Sequence, residues 1–372
     1  MMQKLGDIAT YINGYAFKPA DRGLKGLPII RIQDLTGNSY DLGFYDGIYP
    51  KKIEINNGDI LISWSGSLGI FLWNGGKALL NQHIFKVVFD KKDIDKHYFL
   101  FAVKEKLNEM SLKTHGATMK HIIKSDFENI TISLPDLNEQ KRISNMLLKI
   151  ENLIKMRKNQ IQHYDTLTKS LFVEMFINEN YPKKKLGECA IINPKKSSDK
   201  RLHDELEVSF VPMMAVGGNG HINVSEIKKL ADVKNGFTYF SEGDVLFAKI
   251  TPCMENGKGA IASNLCNGIG FGSTEFHVIR PIENITTSEW IYVLTTLQKF
   301  RLSAEANMTG SAGQKRVPAS FLQDYSFYLP PIELQKQFSR VFKHLDKHKS
   351  VVQKSLDETQ ILFDSLMQKY FG

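Results

Sequence analysis

The chain has 372 residues, 42% hydrophobic and 24% charged, which is enough for two or three domains that each bury a core. Its net charge of +8 favours a polyanionic partner, although many proteins without one are equally basic. Three cysteines without a CxxC spacing argue against a disulfide framework, and the first residues lack an apolar signal core. The longest uncharged run, 60–76, is interrupted by serine and glycine. We therefore expect a soluble cytoplasmic protein without a membrane partner.

The first third of the chain has the pattern of a mixed α/β domain. Four apolar runs bounded by turn residues predict strands, at 26–35, 56–66, 79–89 and 127–135. A short amphipathic helix is predicted at 95–110, and a polar loop at 114–122.

A long helix is predicted next. Apolar or near-apolar residues recur at steps of three and four, which is the pattern of a helical seam: Ile143, Leu147, Ile150, Ile154, Ile161, Tyr164, Leu171 and Met175. Asp136 and Glu139 have the spacing of a capping box, and Pro182 follows the end of the helix.

The same order of landmarks then returns. LPDLNEQKRI at 134–143 aligns with LPPIELQKQF at 329–338, and GDIL at 58–61 aligns with GDVL at 243–246. A second short helix is predicted at 288–302. The second seam contains Phe338, Phe342, Leu345, Val352, Leu356, Phe363, Leu366 and Tyr370. The chain is therefore an internal duplication.

The predicted fold class is α+β: two similar mixed α/β domains separated by an antiparallel pair of long coiled-coil helices, related by a pseudo-two-fold repeat. The predicted segments are the first domain, the first helix, the second domain and the second helix, at 1–135, 136–177, 178–330 and 331–372. Because only about eight residues separate the first helix from the second domain, that domain lies near the end of the first helix, and the second helix must run back along the first. Residues whose numbers add to roughly 513 should then face each other.

Repeated cores with dissimilar loops favour two domains that recognise different targets. DNA is a suitable target for two such domains. Serine, lysine and backbone amides contact phosphates, whereas asparagine, glutamine and arginine form bidentate contacts with bases. The candidate DNA-binding residues are Arg31, Gln33, Ser65, Ser67, Asn81, Gln82, Thr118, Lys120, Lys249, Thr251, Asn256, Lys258, Ser273, Thr274, Gln314, Lys315 and Arg316. The alternatives are a salt bridge or turn for Arg31 and Gln33, and solvated loop groups for Lys249, Asn256 and Lys258.

On these features the chain resembles, over its full length, the specificity subunit of Type I restriction-modification systems. LPxxxxQK opens each long helix and GDxL lies within each domain. IRIQDL with LNQHIFKV, and GDVLFAKITPCMENGK, are similar to signatures of that family's target recognition domains. The resemblance implies two target recognition domains, two conserved helices, and a bipartite DNA target with an unspecified spacer.

The resemblance also implies partners. These are double-stranded DNA, two modification subunits that methylate adenine, and restriction subunits that translocate and cleave DNA. S-adenosylmethionine, ATP and Mg²⁺ are expected in those subunits, with no cofactor and no catalytic residue in this chain. Docking needs apolar helix residues outside the seam, and the candidates are Met146, Leu153, Phe172, Val351, Ile361 and Met367. Their alternative role is to widen the contact between the helices.

Other kinds of site find little support in the sequence. The histidines lack metal-ligand spacing, and no glycine-rich or Walker motif is present. PDLNEQK at 135–141 has acidic residues too close together for a nuclease signature, and capping explains them. The alternative function is a non-catalytic helical scaffold whose two domains bind proteins or a non-DNA ligand.

Overall fold

The computed structural model forms two compact units. Unit 1 contains Met1–Arg157 and Ser355–Gly372, and unit 2 contains Lys158–Lys354. The residues that the structure describes are 1–38, 41–113, 122–177, 180–311 and 313–372. Within those ranges no helix is long and apolar enough to cross a membrane.

Unit 1 holds the first α/β domain. Its described strands are β1 (Met2–Lys4), β2 (Thr10–Asn13), β3 (Leu27–Ile30), β4 (Phe44–Tyr45), β5 (Glu54–Ile55), β6 (Ile60–Ser63), β7 (Gly69–Leu72), β8 (Ala78–Leu80), β9 (Ile84–Val88) and β10 (Thr131–Ser133). Its helices are α1 (Ile32–Leu35), α2 (Lys96–Lys113) and α3 (Lys124–Asn129), followed by the long helix α4 (Leu137–Phe176).

Unit 2 holds the second α/β domain. Its described strands are β11 (Lys183–Lys185), β12 (Ala190–Ile192), β13 (Glu207–Val211), β14 (Ile227–Lys229), β15 (Thr238–Ser241), β16 (Val245–Ala248), β17 (Gly259–Ile261), β18 (Ile269–Gly272), β19 (Phe276–Pro281) and β20 (Ser326–Tyr328). Its helices are α5 (Leu186–Cys189), α6 (Leu230–Val233), α7 (Ser288–Thr296), α8 (Gln298–Ala306) and α9 (Ala319–Asp324), followed by the long helix α10 (Ile332–Phe371).

The two domains have matching sheets. In unit 1 the strand orders are β1-β10, β2-β9-β6-β7 and β4-β3-β8-β5. In unit 2 they are β11-β20, β12-β19-β16-β17 and β14-β13-β18-β15. The pairs β3–β8 and β13–β18 are parallel, whereas the other pairs are antiparallel. The predicted duplication is therefore confirmed strand by strand.

The repeated GDxL motif forms the turn before the central strand of each domain. Gly58 and Gly243 have φ of +85° and +84°, a conformation that favours glycine. The carboxylates of Asp59 and Asp244 each accept the backbone N–H of the residue three positions earlier, at 2.8 and 2.7 Å. The motif is thus a strand-starting turn in both domains.

In unit 1 the start of α4 packs against the end of α10. Arg142 donates to the Tyr370 hydroxyl at 3.4 Å, and Arg157 donates to the Ser355 carbonyl at 2.7 Å. Both pairs of residue numbers add to 512, so the helices are antiparallel with the predicted alignment.

In unit 2 the end of α4 packs against the start of α10. Lys349 forms an ion pair with Asp165, and the rings of Phe172 and Phe338 are 5.5 Å apart. These numbers add to 514 and 510, which is the same antiparallel alignment.

The glutamine of the LPxxxxQK motif ties each long helix to its own domain. In unit 1 the buried Gln140 side chain donates to the Pro135 carbonyl at 2.8 Å and accepts from the Asp95 N–H at 3.0 Å. Asp95 in turn caps α2, because its carboxylate accepts from the Tyr98 N–H at 2.8 Å. One amide therefore joins the starts of α4 and α2.

Gln335 does the same in unit 2. It donates to the carbonyls of Pro330 and Ile285 at 2.9 and 3.0 Å and accepts from the Thr287 N–H at 3.2 Å. Thr287 caps α7 through the Trp290 N–H. The LPxxxxQK motif therefore forms the same junction between long helix and domain in both units.

The last turns of both long helices depart from the predicted seam. Phe172 and Phe176 pack on Trp290 of α7, and Phe371 packs on Tyr98 of α2. The buried side of each helix shifts there because the short helix of a domain packs beside it, and in unit 2 Phe172 and Phe176 contact Phe338 of α10 as well.

Four predicted elements were wrong in detail. In the run 26–35 only Leu27–Ile30 is a strand, since Ile32–Leu35 forms α1, and in the run 127–135 the residues up to Asn129 belong to α3. The run 79–89 forms two strands in different sheets, β8 and β9, because Asn81 begins a turn closed by the Ile84 N–H at 3.3 Å. The run 288–302 forms two helices, because Leu297 is extended (ψ 141°) and the Thr295 carbonyl at the end of α7 accepts from Arg301 at 2.6 Å.

The capping prediction for α4 holds in part. The Asp136 carboxylate accepts from the Glu139 N–H at 3.0 Å, as expected for a cap. The Glu139 carboxylate pairs with Arg142 at 2.6 Å on the exposed face.

Replacing Gln140 by alanine should lower the free energy of unfolding by about 1–3 kcal/mol, because the Asp95 N–H and the Pro135 carbonyl lose a buried partner. Urea unfolding of the purified chain measures the loss, and hydrogen exchange should locate it in the first turn of α2. Gln160→Ala, on the exposed face of α4, is the matched control and should be nearly neutral. Equal stability of the two variants would contradict the role of this junction.

Candidate nucleic-acid interface

In unit 2, three loops that carry predicted residues meet after β16. The Lys249 N–H donates to the Glu275 carbonyl at 2.9 Å, and the Thr251 N–H donates to the Lys315 carbonyl at 3.0 Å. We call the residues brought together the unit 2 polar cluster: Lys249, Thr251, Ser273, Thr274, Glu275, Gln314, Lys315 and Arg316. All of these residues except Glu275 are DNA-binding candidates predicted from the sequence.

An ion pair organises this cluster. Glu275 accepts two bonds from Arg316, at 2.9 Å from Nε and 2.7 Å from Nη2. These bonds hold the pKa of Glu275 below its ordinary value. Burial lowers the pKa of Lys249, with the Arg316 charge acting in the same direction. Charged groups are therefore concentrated at the ends of β16 and β19.

His277 supports the cluster from the buried side of β19. Its Nε2 lies 2.8 Å from the Val317 carbonyl, which can only accept, so Nε2 carries the proton. Nδ1 then accepts from the Asn193 amide at 3.1 Å. Burial lowers the pKa of His277, which keeps the imidazole neutral. This histidine is thus a core residue whose two ring nitrogens both have hydrogen-bond partners.

A partly buried arginine shapes the turn that carries Asn256 and Lys258. Arg301 donates to the carbonyls of Met254 and Gly257 at 2.8 and 3.3 Å. Burial lowers the pKa of Arg301 to about 10, so it stays charged at neutral pH. Asn256 is exposed, and the Lys258 ammonium donates to a loop carbonyl. Sequence patterns missed Arg301, because an arginine on a short amphipathic helix normally faces solvent.

In unit 1 the first candidates lie on α1. Arg31 precedes α1 and pairs with Asp34 at 3.2 Å, and it also donates to the Asp41 carbonyl. This is the salt bridge weighed as its alternative role. Gln33 is exposed on α1. DNA contact by either residue stays a prediction.

The other described candidates of unit 1 lie in two neighbouring turns. Ser65 is buried, Ser67 is exposed, and the Ser67 carbonyl accepts from Ser63 at 2.5 Å. The Asn81 side chain accepts the Gln82 backbone N–H at 2.6 Å, and the Gln82 side chain is exposed. Thr118 and Lys120 lie outside the described residues.

The same backbone bonds hold the loops of both domains. In unit 1, the Trp64 N–H donates to the His83 carbonyl at 3.3 Å, and the Ile122 N–H donates to the Trp64 carbonyl at 3.0 Å. In unit 2, Lys249 takes the place of Trp64, bonding to the Glu275 carbonyl and to the Val317 N–H, each at 2.9 Å. His83 therefore corresponds to Glu275.

Different side chains occupy these equivalent positions. The Trp64 ring stacks on Phe85, with centroids 5.7 Å apart. Lys249 instead presents an ammonium group beside Glu275 and Arg316. Equivalent backbone positions thus carry aromatic groups in unit 1 and charged groups in unit 2.

The predicted subunit-docking residues separate into two groups. Phe172 and Met367 are only 2% and 4% exposed, because the last turns of the long helices pack on a domain. The expectation of a surface role for these two is therefore corrected, and they are core residues. The remaining candidates are partly or well exposed: Met146, Leu153, Val351 and Ile361.

The described residues contain no group of three or more His, Cys, Asp or Glu side chains placed to hold a metal ion.

A duplicated α/β domain combined with paired long helices defines a two-domain fold with an internal repeat. The family model for the Type I restriction modification DNA specificity domain matches residues 1–163 and 178–358. The chain therefore belongs to this family.

Curated relatives agree with the family match. The EcoAI specificity subunit of Escherichia coli is 41% identical over 187 residues, which cover 49% of this chain and 31% of that subunit. The MjaVIII specificity subunit of Methanocaldococcus jannaschii is 30% identical over 194 residues, covering 50% of this chain and 45% of that subunit. The chain thus matches less than half the length of each of these relatives.

Solved structures show the same fold. The S subunit of a Type I restriction-modification system from M. genitalium superposes with a TM-score of 0.59 and 16% identity, covering 100% of this chain and 96% of the other. A chain from a structural study of complex assembly in the Type I R-M system superposes with a TM-score of 0.51 and 16% identity, covering 100% of this chain and 97% of the other.

Proposed function

We propose that this chain is the DNA-recognition subunit of a Type I restriction-modification complex. Each α/β domain reads one part of a bipartite target, and the bases between the two parts are not read. The chain docks two modification subunits and, through them, restriction subunits. It carries no catalytic residue of its own and acts in the cytoplasm.

The observation that carries this proposal is the pair of equivalent loop positions with different side chains. Trp64 and His83 in unit 1 make the backbone bonds that Lys249 and Glu275 make in unit 2. A shared backbone with different side chains is what two readers of different base sequences need, because direct readout depends on a few side chains.

The chemistry belongs to the partners in this proposal. The modification subunits would bind S-adenosylmethionine, and target adenines would be flipped into them. The restriction subunits would use ATP and Mg²⁺.

An exposed apolar face on the helix pair of unit 1 supports docking. On the other side of this pair, Glu151 forms an ion pair with Lys104 of α2, and Phe363 packs on Phe101. Residues two positions along a helix point about 200° apart, so Leu153 and Ile361 face away from α2. The exposed apolar residues here, which we call docking face 1, are Leu153, Met156, Ile361 and Leu362.

Unit 2 repeats this face in part. The 195-residue offset of the LPxxxxQK motifs relates Met156 to Val351 and Leu167 to Leu362, whereas Leu153 and Ile361 correspond to His348 and Thr166. Leu167, Val341 and Val351 are exposed and form docking face 2. Two apolar faces that share these equivalent positions, one in each unit, support the binding of two copies of one partner.

DNA selection tests the proposed function. The full chain, with modification subunits from the same source, should select from random duplexes two short sequence blocks with a constant gap. Affinity should fall steeply with salt, with a slope of about −0.9 per phosphate contact. Selection without a two-part consensus would instead support a scaffold that binds proteins or a non-DNA ligand.

An acidic substitution on one docking face should prevent one modification subunit from binding. The double variant Leu153→Asp and Ile361→Asp should reduce the modification subunits bound per chain from two to one, as counted by native mass spectrometry. Val351→Asp should remove the other copy. Leu24→Asp, at an exposed site elsewhere in unit 1, is the control and should keep two. Two bound copies in every variant would exclude these faces as docking sites.

A further inference from the structure

The ion pair between Arg316 and Glu275 has the form of a base-reading group. Resting on the proposed function, we infer that Arg316 is a specificity-determining residue of unit 2 that reads a guanine in the major groove. Glu275 is a positioning residue that holds the guanidinium in the reading orientation.

The hydrogen bonds of the guanidinium leave a suitable pair of donors. Arginine has five N–H groups. Glu275 accepts from Nε at 2.9 Å and from Nη2 at 2.7 Å, and the Gln314 carbonyl accepts from Nη1 at 3.2 Å. One N–H therefore remains on each terminal nitrogen. Two donors on one arginine match the O6 and N7 acceptors of guanine.

The ion pair is accessible to a partner. The side chains of Arg316 and Glu275 are 42% and 24% exposed, so the guanidinium lies at the surface. The backbone of Arg316 already exchanges two hydrogen bonds with Thr309, at 2.8 and 2.9 Å. Its position is therefore set without its side chain.

The surroundings favour DNA as the partner. Lys315 is exposed beside Arg316, and Lys249 lies across the adjoining strand end. Cations next to a base-reading arginine would contact phosphates. A carboxylate facing DNA is unfavourable unless a cation pairs with it, so Glu275 needs a role such as orienting Arg316.

The position of Glu275 carries a different residue in unit 1. In unit 1 the residue that corresponds to Glu275 is His83, which packs edge-on against Trp64. Unit 1 therefore does not hold an arginine by a carboxylate at this position, and the guanine is assigned to the part of the target that unit 2 reads.

Base preference at each position of the target tests the inference. The full chain with its modification subunits is presented with duplexes randomised at one half-site at a time. The wild type should require guanine at one position of the unit 2 half-site. Arg316→Lys should lower discrimination there by about 5- to 150-fold, because lysine cannot form the bidentate contact. Glu275→Gln should lower discrimination at the same position while overall DNA affinity is kept or raised.

Two controls separate this reading from loss of structure or charge. Arg201 forms a matched bidentate pair with Asp199, at 2.9 and 2.7 Å, near the opposite end of β18. Arg201→Lys should leave every base preference unchanged. Lys315→Ala should weaken binding evenly, without changing preference at any position.

The outcomes are distinct. If the wild type selects a two-part site but Arg316→Lys and Arg316→Ala change no base preference, the pair is structural and the inference is overturned. If the unit 1 half-site changes in these variants, the effect is not local and the inference is also overturned. If the wild type selects no two-part site, the proposed function fails first.

Discussion

A buried side-chain amide at the start of each long helix is the contact on which the architecture depends. Gln140 and Gln335 each bond the proline carbonyl that precedes their own helix and the N–H of the residue that caps a short helix. Leaving such an amide unpaired in the core costs about 1–3 kcal/mol, so the amide favours one arrangement of helix and domain. Each domain is thereby attached to its long helix in the same way.

The two units share their backbone structure but differ in their loop side chains. Strand order, the GDxL turn and the backbone bonds of the loops are the same in both units. The side chains at the equivalent loop positions differ, from Trp64 and His83 to Lys249 and Glu275. Loop residues can therefore change without disturbing the sheets that carry them, and in the proposed function this lets one fold serve different DNA sequences.

Much of the fold could be predicted because its signals are periodic or repeated. The seam of α4, the motif pair and the antiparallel alignment all follow from spacing along the chain. The inward side chain of Arg301 and the burial of Phe172 and Met367 could not be predicted, because each depends on a neighbour far away in sequence. The unit 2 polar cluster could be predicted only in part. The sequence shows cations in polar loops, but it does not show that Glu275 pairs with Arg316.

The central claim is that the domains read DNA independently while the helices set the distance between the two reading positions. Its most direct test inserts seven residues into α4 after Arg157 and into α10 after Lys354, where the two units divide. Seven residues preserve the side of the helix that faces the seam. Duplex selection should then give a longer gap between two unchanged half-sites. Altered half-site sequences with an unchanged gap would contradict the account.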